Sequence, residues 1–246
     1  MTNEEKFIVD LEGYLVIKNV LSKDEIMEMN QVIDNGDRSG PPSRWGKLFN
    51  RLIDHPKILP YLIELIGPSV RLDHDYAIFM QNGSSGSRLH GGEDGGGYRE
   101  EGDHWYKYRD GVIRNGLCVM AYNLTPAKSG DGGFTCIPGS HKSHFLRNLP
   151  DDVRYFKRQV HYVIQPEVDA GDVVFFTEAL IHGTTTWTSK VERRALLYKY
   201  SPGHSAYSGK YHNLDDYEEL SERQKLMLAP PSIGGRPRIE LDGDEE

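Results

Sequence analysis

Two histidines and one arginine in this sequence have the types and positions that metal-dependent chemistry requires. His90 follows a strand-and-turn region, and His182 comes just after the strand-like run Val173–Thr177. Arg193 follows His182 by eleven residues at the start of the next strand-like run, so we expect the histidine and the arginine on neighbouring strands. Imidazole is the commonest metal ligand among side chains, and guanidinium offers a planar, two-pronged donor to a carboxylate. The combination favours a metal ion that holds a dicarboxylate, although either histidine alone could be a hydrogen-bonded structural residue.

These side chains depend on a series of short, strand-like runs in the middle of the chain. Between residues 70 and 200 the apolar runs are short, β-prone and bounded by Gly, Pro, Asp or Asn. They read VRLDHDYAIFMQ, GLCVMAYNL, GGFTCIPG, VHYVIQP, GDVVFFT and RALLYKYS. The pattern predicts a sandwich or barrel rather than a βαβ protein.

Helices are predicted on both sides of this all-β core. In LSKDEIMEMNQVIDNG, Ser22 and Glu25 have the spacing of a capping box, and Gly36 marks the helix end. HPKILPYLIELIGP predicts a second helix, and LSERQKLMLAPP, capped by Ser221 and Gln224, predicts a third. The length suits one buried core, so we expect a single domain over residues 1–246, with N-terminal helices and a C-terminal helical and irregular extension.

The composition excludes several classes of function. The chain has 37 acidic and 29 basic residues without a basic cluster, which argues against binding a nucleic-acid polymer. No apolar run approaches the length of about 18 residues that a membrane span needs, and the acidic N-terminus is unlike a targeting peptide. We therefore expect a cytoplasmic protein with no membrane partner. Cys118 and Cys136 are interpreted as reduced strand residues.

Four longer motifs carry a family resemblance. EGYLVIKNVLSKDEI, GGFTCIPGSHKSHF, GDVVFFTEALIHGTTTW and RRALLYKYSPGH resemble the phytanoyl-CoA dioxygenase family of iron(II)/2-oxoglutarate-dependent oxygenases. The resemblance runs from Phe7 to about Pro231, and its most specific parts are the turn Pro138–His141 and the spacing between His182 and Arg193. It implies a double-stranded β-helix, a cupin-like jelly roll whose mouth holds the metal.

The same resemblance implies a role for each candidate residue. His90 would be the proximal iron ligand, His182 the distal one, and Arg193 the partner of the distal carboxylate of 2-oxoglutarate. Arg194 is the alternative anchor, because strand alternation lets only one of the two arginines point inward. The implied cofactor and cosubstrates are Fe(II), 2-oxoglutarate and O2. His141 and His144 are interpreted as residues of a solvated loop rather than a second metal pair.

The sequence departs from the family pattern at Gly92. Oxygenases of this kind bind iron through two histidines and one carboxylate, and the family places the acid two residues after the first histidine. None of the ten histidines here has Asp or Glu at that position. Glu93 or Asp94 could supply the carboxylate instead, a water could replace it in a hydroxylase, or the protein could be an inactive binding module.

In a fourth interpretation, the missing acid is itself functional. His-x-Gly or His-x-Ala is the signature of the iron/2-oxoglutarate radical halogenases, and HGG at residues 90–92 resembles it. Chloride or bromide would then bind iron where the carboxylate is absent, which gives Gly92 a catalytic role. We therefore expect radical halogenation, namely chlorination, of an aliphatic C–H in a small polar substrate. A hydroxylase of the phytanoyl-CoA dioxygenase type and an inactive binding module remain the alternatives.

The segment 91–115 is long enough for a loop to need a functional reason, so it is a candidate lid. Its aromatic and cationic residues would suit a polar substrate, although a mobile surface loop is equally compatible with its glycines. A nucleotide, an amino acid and a CoA or carrier thioester all remain open as substrates. The sequence gives no indication of the oligomeric state.

Overall fold

The structure is a computed structural model that describes residues 1–36, 38–92 and 104–241. The α-helices in these ranges are α1 (Asn3–Glu12), α2 (Lys23–Asn35), α3 (Lys47–Asn50), α4 (Leu59–Leu65), α5 (Asp151–Arg154) and α6 (Glu222–Leu228). The strands are β1 (Tyr14–Ile17), β2 (Arg71–Met80), β3 (Ser87–His90), β4 (Tyr106–Arg109), β5 (Val112–Asn115), β6 (Cys118–Asn123), β7 (Gly133–Cys136), β8 (Val173–Thr177), β9 (His182–Thr185) and β10 (Arg193–Ser201).

The strands form two main sheets and a hairpin, and every pairing is antiparallel. The larger sheet has five strands in the order β1-β8-β6-β10-β2. The smaller sheet has three strands in the order β3-β9-β7, and β4 pairs with β5. Mostly antiparallel sheets with flanking helices agree with the predicted fold class; the double-stranded β-helix itself stays a prediction.

The larger sheet separates two apolar clusters, because successive side chains of a strand point to opposite faces. On β8, Val173 and Phe175 pack with the helices, whereas Val174 and Phe176 belong to the cluster that also contains Cys136 of the smaller sheet. A third cluster, around Leu89 and Ile181, includes residues of 146–163. The cluster that contains Phe176 and Cys136 therefore lies between the two sheets.

The helix predictions are confirmed, and the caps explain why. Ser22 and Glu25 form the capping box of α2, and Ser221 and Gln224 form that of α6. The second predicted helix is α4, which is shorter than its motif. The N-terminal helix α1 was not predicted, although Thr2 and Glu5 give it the same capping box.

The expected strand in VHYVIQP is wrong. Residues 160–166 form no strand, and Ile164 makes only an isolated β-bridge to Cys136. Val160, Tyr162 and Val163 instead pack on the cluster around Leu89. Their apolar side chains cover that cluster as a loop, so the strand-like composition reflects burial rather than pairing.

The expectation of one long loop over 91–115 is wrong for its second half. Tyr106–Arg109 and Val112–Asn115 form the hairpin β4–β5. The hydroxyl of Tyr106 donates to Asp10, and Arg114 donates to the carbonyl of Glu64 at 2.9 Å, so the hairpin is tied to the N-terminal helices. Tyr98 and Arg99, which are among the aromatic and cationic residues of the candidate lid, lie outside the described residues.

Two further expectations concern the cysteines and the membrane. Cys118 on β6 and Cys136 on β7 are buried strand residues, as predicted, and neither forms a disulfide within the described residues. Among the helices of the described ranges, none has both the length and the apolar character needed to cross a membrane.

Candidate metal and cosubstrate site

His90 and His182 lie directly opposite each other on β3 and β9, and their ring centroids are 4.3 Å apart. The Nδ1 atom of each ring lies 2.8 Å from the backbone carbonyl two residues earlier, that of Arg88 or Leu180. Because a carbonyl can only accept, both Nδ1 atoms carry the proton. In the neutral form of each ring, the lone pair is therefore on Nε2, the nitrogen that would bind a metal.

The local environment keeps His182 neutral. Burial lowers the pKa of His182 to about 4, against the opposing charge of Glu178. Metals bind the neutral imidazole, so a pKa below neutral pH removes the competition with a proton. The ring also packs on Phe176, with centroids 4.7 Å apart, and this contact restricts its orientation.

Arg193 lines the same cavity of about 200 Å³ as His90 and His182. The arginine is only 5% exposed, and burial lowers its pKa to about 10, so it is still charged at neutral pH. Its guanidinium donates to the sulfur of Met80 at 3.4 Å, and no carboxylate of the described residues pairs with it. Gly133 leaves room for it, since a Cβ there would lie 3.0 Å from Arg193 Nε.

Arg194 points to the opposite face of β10. Its guanidinium forms ion pairs of 2.6 Å with both Asp34 and Glu192. Arg193, by contrast, shares its face with Ala195 and Leu197, which pack between the two sheets. Of the two candidate anchors, only Arg193 lines the cavity.

We expected His182 and Arg193 on neighbouring strands, and this expectation is wrong. His182 begins β9 of the smaller sheet, and Arg193 begins β10 of the larger one. The expectation was wrong because the four-residue strand β9 was not recognised in HGTT. The two side chains approach the cavity from opposite sheets.

The two glycines after His90 allow a close backbone contact. Gly91 has φ +108°, and a Cβ there would lie 2.3 Å from the carbonyl oxygen of Leu180. Gly92 has φ +54°, its N–H donates to the carbonyl of Glu178 at 2.9 Å, and its Cβ would meet Ala179 O at 3.0 Å. Gly92 therefore has a backbone reason to be glycine that does not depend on any ligand.

Glu178 is a candidate site residue that the sequence reasoning missed. It is 3% exposed, and its Oε1 accepts a hydrogen bond of 2.7 Å from Lys199 Nζ. Its Oε2 lies 3.8 Å from His182 Nε2, the nitrogen on the metal side of that ring. Burial opposes ionisation, but the charge of Lys199 holds the pKa of Glu178 well below its usual range. The only sequence signal was its position four residues before His182.

His104 lies next to this carboxylate. Its Nε2 is 3.9 Å from Glu178 Oε2, and its ring stacks on Tyr207 with centroids 5.6 Å apart. Both ring nitrogens are buried and have no hydrogen-bond partner among the described residues. Burial lowers the pKa of His104, which favours its neutral form.

As the side chains stand, no three His, Cys, Asp or Glu residues within 1–36, 38–92 and 104–241 form a group that could hold a metal ion. A third protein ligand, if the metal has one, would therefore require a side-chain movement in this part of the chain or a residue beyond it. Glu93 and Asp94, the acids considered from the sequence, lie outside the described residues.

His141 differs from its predicted surroundings. It is buried rather than solvated, and its Nε2 lies 3.1 Å from the carbonyl of Asp10. Its ring makes an edge contact with Tyr106, and burial lowers its pKa to about 4. His144 is exposed, so the two do not share an environment.

The comparison with protein families identifies the chain. The model of phytanoyl-CoA dioxygenase (PhyH) matches residues 48–195, which is more than half of the 246 residues. The chain belongs to the phytanoyl-CoA dioxygenase family. The family predicted from the motifs is thus confirmed, whereas the likeness of HGG to the halogenase signature stays a prediction. No curated protein matches the chain.

Solved structures similar to this family member include HygX from Streptomyces hygroscopicus. The apo form has 25% identity and a TM-score of 0.73, and the match covers 87% of this chain and 91% of HygX. The form with nickel, 2-oxoglutarate and hygromycin B has 24% identity and a TM-score of 0.74, over 87% and 92% of the two chains. ThoJ, a non-haem monooxygenase in complex with nickel, matches at 16% identity and a TM-score of 0.62, over 83% and 80%, which supports the fold.

Proposed function

We propose that the protein is an iron(II)/2-oxoglutarate-dependent oxygenase that oxidises an aliphatic C–H of a small polar substrate. One observation carries this proposal: two histidines with free Nε2 lone pairs line the same cavity as a buried arginine without a carboxylate partner in the described residues. A metal at the histidines and a dicarboxylate reaching Arg193 would use both. We further propose that the two sheets form the double-stranded β-helix of this family.

The donor set fits iron(II). His90 and His182 offer imidazole Nε2 atoms, and their second ring nitrogens are already oriented by backbone carbonyls, as is usual for metal-binding histidines. When bound with 2-oxoglutarate, iron supplies the oxygen-activating chemistry that removes a hydrogen atom from an unactivated carbon. The protein supplies binding, orientation and electrostatics.

Arg193 would bind the distal carboxylate of 2-oxoglutarate through a charge-assisted pair. The cavity of about 200 Å³ is small beside the roughly 300–1,000 Å³ of typical drug-sized ligand pockets, which suits a short dicarboxylate. Ile78, Phe176 and Leu197 line its wall and exclude water from the paired charges. Exclusion of water strengthens the pair, because the effective dielectric constant falls.

Oxygen insertion is the outcome that the geometry supports best, and halogenation is the second candidate. Halogenation is favoured by the absence of an acid at position 92. Against it, Gly92 has the backbone reason given above, and Glu178 brings a carboxylate near His182. Because HygX was crystallised with hygromycin B, we propose a small molecule rather than a macromolecule as the substrate.

A product screen tests the proposal. The protein would be incubated with iron(II), 2-oxoglutarate, oxygen and chloride in the presence of nucleotides, amino acids, thioesters or hygromycin B. Mass spectrometry would score succinate and both oxygen and chlorine insertion. Oxygen-containing products support the proposed function, and chlorinated products support the second candidate. Failure to form succinate under any condition, while Fe(II) and 2-oxoglutarate bind, contradicts the oxygenase assignment.

A further inference from the structure

We infer that Glu178 is the third protein ligand of the metal and supplies the carboxylate that position 92 lacks. This inference rests on the proposed function. The family pattern takes the acid from the loop after the first histidine, whereas here it would come from the turn between β8 and β9. The ligand set would then be His90, Glu178 and His182.

The position of the carboxylate carries the first step. Two ligands bound to one ion at about 2.1 Å can be at most about 4.2 Å apart. Glu178 Oε2 and His182 Nε2 are 3.8 Å apart, so one ion can reach both atoms. A small approach of Oε2 would bring the pair to the roughly 3.0 Å that neighbouring positions of an octahedral metal require.

The backbone contact of the glycines carries the second step. Gly92 N–H donates to the carbonyl of Glu178, so position 92 lies against the very residue that bears the acid. The Cβ contacts at Gly91 and Gly92 show that side chains there would push this turn away. The glycines and Glu178 therefore belong to one arrangement. The loop after β3 carries glycine instead of an acid at position 92, and this glycine lets the β8–β9 turn, which carries Glu178, pack close to His90.

Lys199 leaves half of the carboxylate available. It bonds Oε1, and the ion-pair contacts of Oε2 within the described residues are the imidazoles of His182 and His104, at 3.8 and 3.9 Å. These distances exceed a hydrogen bond. An ion pair with Lys199 alone would not require Glu178 Oε2 to face His182 Nε2. A role as metal ligand explains that position, and the hydrogen bond from Lys199 would then fix the orientation of the carboxylate.

His104 is the competing ligand. A site with three protein ligands keeps three positions for 2-oxoglutarate and oxygen, and a fourth protein ligand would remove one of them. We therefore place His104 beside the metal rather than on it. Its substitution should leave metal affinity within about threefold of the wild type.

Two variants that share Lys199→Met and differ only at position 178 test the inference. Glu178→Gln alone would leave Lys199 buried without its partner and could unfold the protein. The comparison is therefore between Lys199→Met, which keeps the carboxylate, and the double variant Glu178→Gln/Lys199→Met, which removes both charges. Circular dichroism and thermal unfolding without metal would establish that both variants fold.

The readout is metal binding without turnover. Anaerobic calorimetry with Fe(II) would give affinities, and the visible absorption of bound Co(II) would report the coordination. Lys199→Met should still bind the metal. The double variant should bind it at least about 100-fold more weakly than Lys199→Met does, because even the loss of a residue that only orients a ligand costs about 10- to 100-fold in metal affinity. Equal affinities and equal Co(II) spectra for the two variants would overturn the inference.

Single variants of other candidate ligands complete the test. Release of the metal by His104→Ala, Glu93→Ala or Asp94→Ala, with the double variant still binding, would also overturn it. In that case the proposed function survives, because the wild type binds metal. If the wild type binds neither Fe(II) nor Co(II), the proposed function and the inference fail together.

Discussion

Arg193 and Lys199 lie on the same inward face of β10, but among the described residues only Lys199 is paired with a carboxylate. Lys199 Nζ lies 2.7 Å from Glu178 Oε1, whereas Arg193 donates to the sulfur of Met80. A buried cation without a counter-charge costs free energy, because it has lost its water. Binding of an anion at Arg193 would offset that cost.

We expect Arg193→Met to abolish stabilisation by 2-oxoglutarate and to make the free protein more stable. Loss of one side of a buried charged pair costs about 2–5 kcal/mol, so cosubstrate affinity should fall at least tenfold. Removal of the unpaired guanidinium should raise the free energy of unfolding of the free protein by about 1 kcal/mol or more. Calorimetry and thermal unfolding with and without 2-oxoglutarate measure both effects.

Arg194→Met is the matched control, since that arginine is paired with Asp34 and Glu192 on the other face. It should leave 2-oxoglutarate affinity unchanged. The opposite result, with affinity lost in Arg194→Met and kept in Arg193→Met, would mean that the inward face of β10 is wrongly assigned.

His90→Ala and His182→Ala should each abolish stoichiometric Fe(II) binding, because each removes an imidazole that lines the cavity. Anaerobic titration of the wild type with Fe(II) and 2-oxoglutarate should produce a charge-transfer absorption that both variants lack. His144→Ala, at an exposed position, should behave as the wild type. An unchanged absorption in His182→Ala would show that His182 is not a metal ligand.

Gly91→Ala should destabilise the protein more than Gly111→Ala does. Both glycines have positive φ, +108° and +81°, so alanine is strained at either position. At Gly111 no heavy atom lies within 4 Å of the added Cβ, whereas at Gly91 the Cβ would lie 2.3 Å from Leu180 O. We expect an additional loss of about 1–3 kcal/mol for Gly91→Ala in urea unfolding, from overpacking. Equal losses would show that the turn moves aside without cost.

Chloride and bromide should leave the absorption of the Fe(II)/2-oxoglutarate complex unchanged if Glu178 binds the metal. The carboxylate would already supply the negative charge that a halide brings in a radical halogenase. A halide-dependent shift that Gly92→Asp abolishes, together with an anomalous bromide peak at the metal, would favour the halogenase candidate instead. The titration needs no substrate, so it can precede the product screen.

Asp73 should make the protein sensitive to acid. Burial raises the pKa of Asp73, but hydrogen bonds from His74, Tyr207 N and Ser208 N, with the charge of Arg71, lower it to about 2 from 3.8. A depressed pKa stabilises the fold above the unfolded value, and that stability is lost as the pH falls from about 4 towards 2. The shift corresponds to about 2 kcal/mol.

The Asp73 prediction is checked by urea unfolding at several pH values. Asp73→Asn should be less stable than the wild type at pH 7, and the difference should shrink as the pH falls from about 4 towards 2. Asp110→Asn, at an exposed carboxylate, is the control and should follow the wild-type curve. A constant difference between Asp73→Asn and the wild type at all pH values would contradict the assignment.

Local signals explain which parts of the fold were predictable. Capping boxes identified α2 and α6, and the strands β2, β6, β7, β8 and β10 coincide with apolar runs bounded by turn residues. The strand β9 was missed because HGTT has no apolar run, and its pairing with β3 and β7 depends on contacts distant in sequence. The run at 160–166 was misassigned because burial and pairing favour the same residue types.

Only individual residues of the candidate site could be predicted from the sequence, not the contacts between them. His90 and His182 followed from the family motifs, and strand alternation left Arg193 or Arg194 as the anchor. Which arginine faces inward depends on the register of β10 with β2 and β6, and this register is a tertiary property. Glu178 is part of the family motif GDVVFFTEALIHGTTTW, but its contact with His182 could not be predicted, because it depends on the conformation of the turn between β8 and β9.

The pairing of His90 with His182 joins segments about 90 residues apart in sequence. Such a contact forms late, because the chain must close a long loop before the pairing is rewarded. A metal that needs both rings can bind only once β3 and β9 are aligned, so it would stabilise the native state by mass action. We therefore expect added Fe(II) to slow unfolding while leaving the refolding rate unchanged.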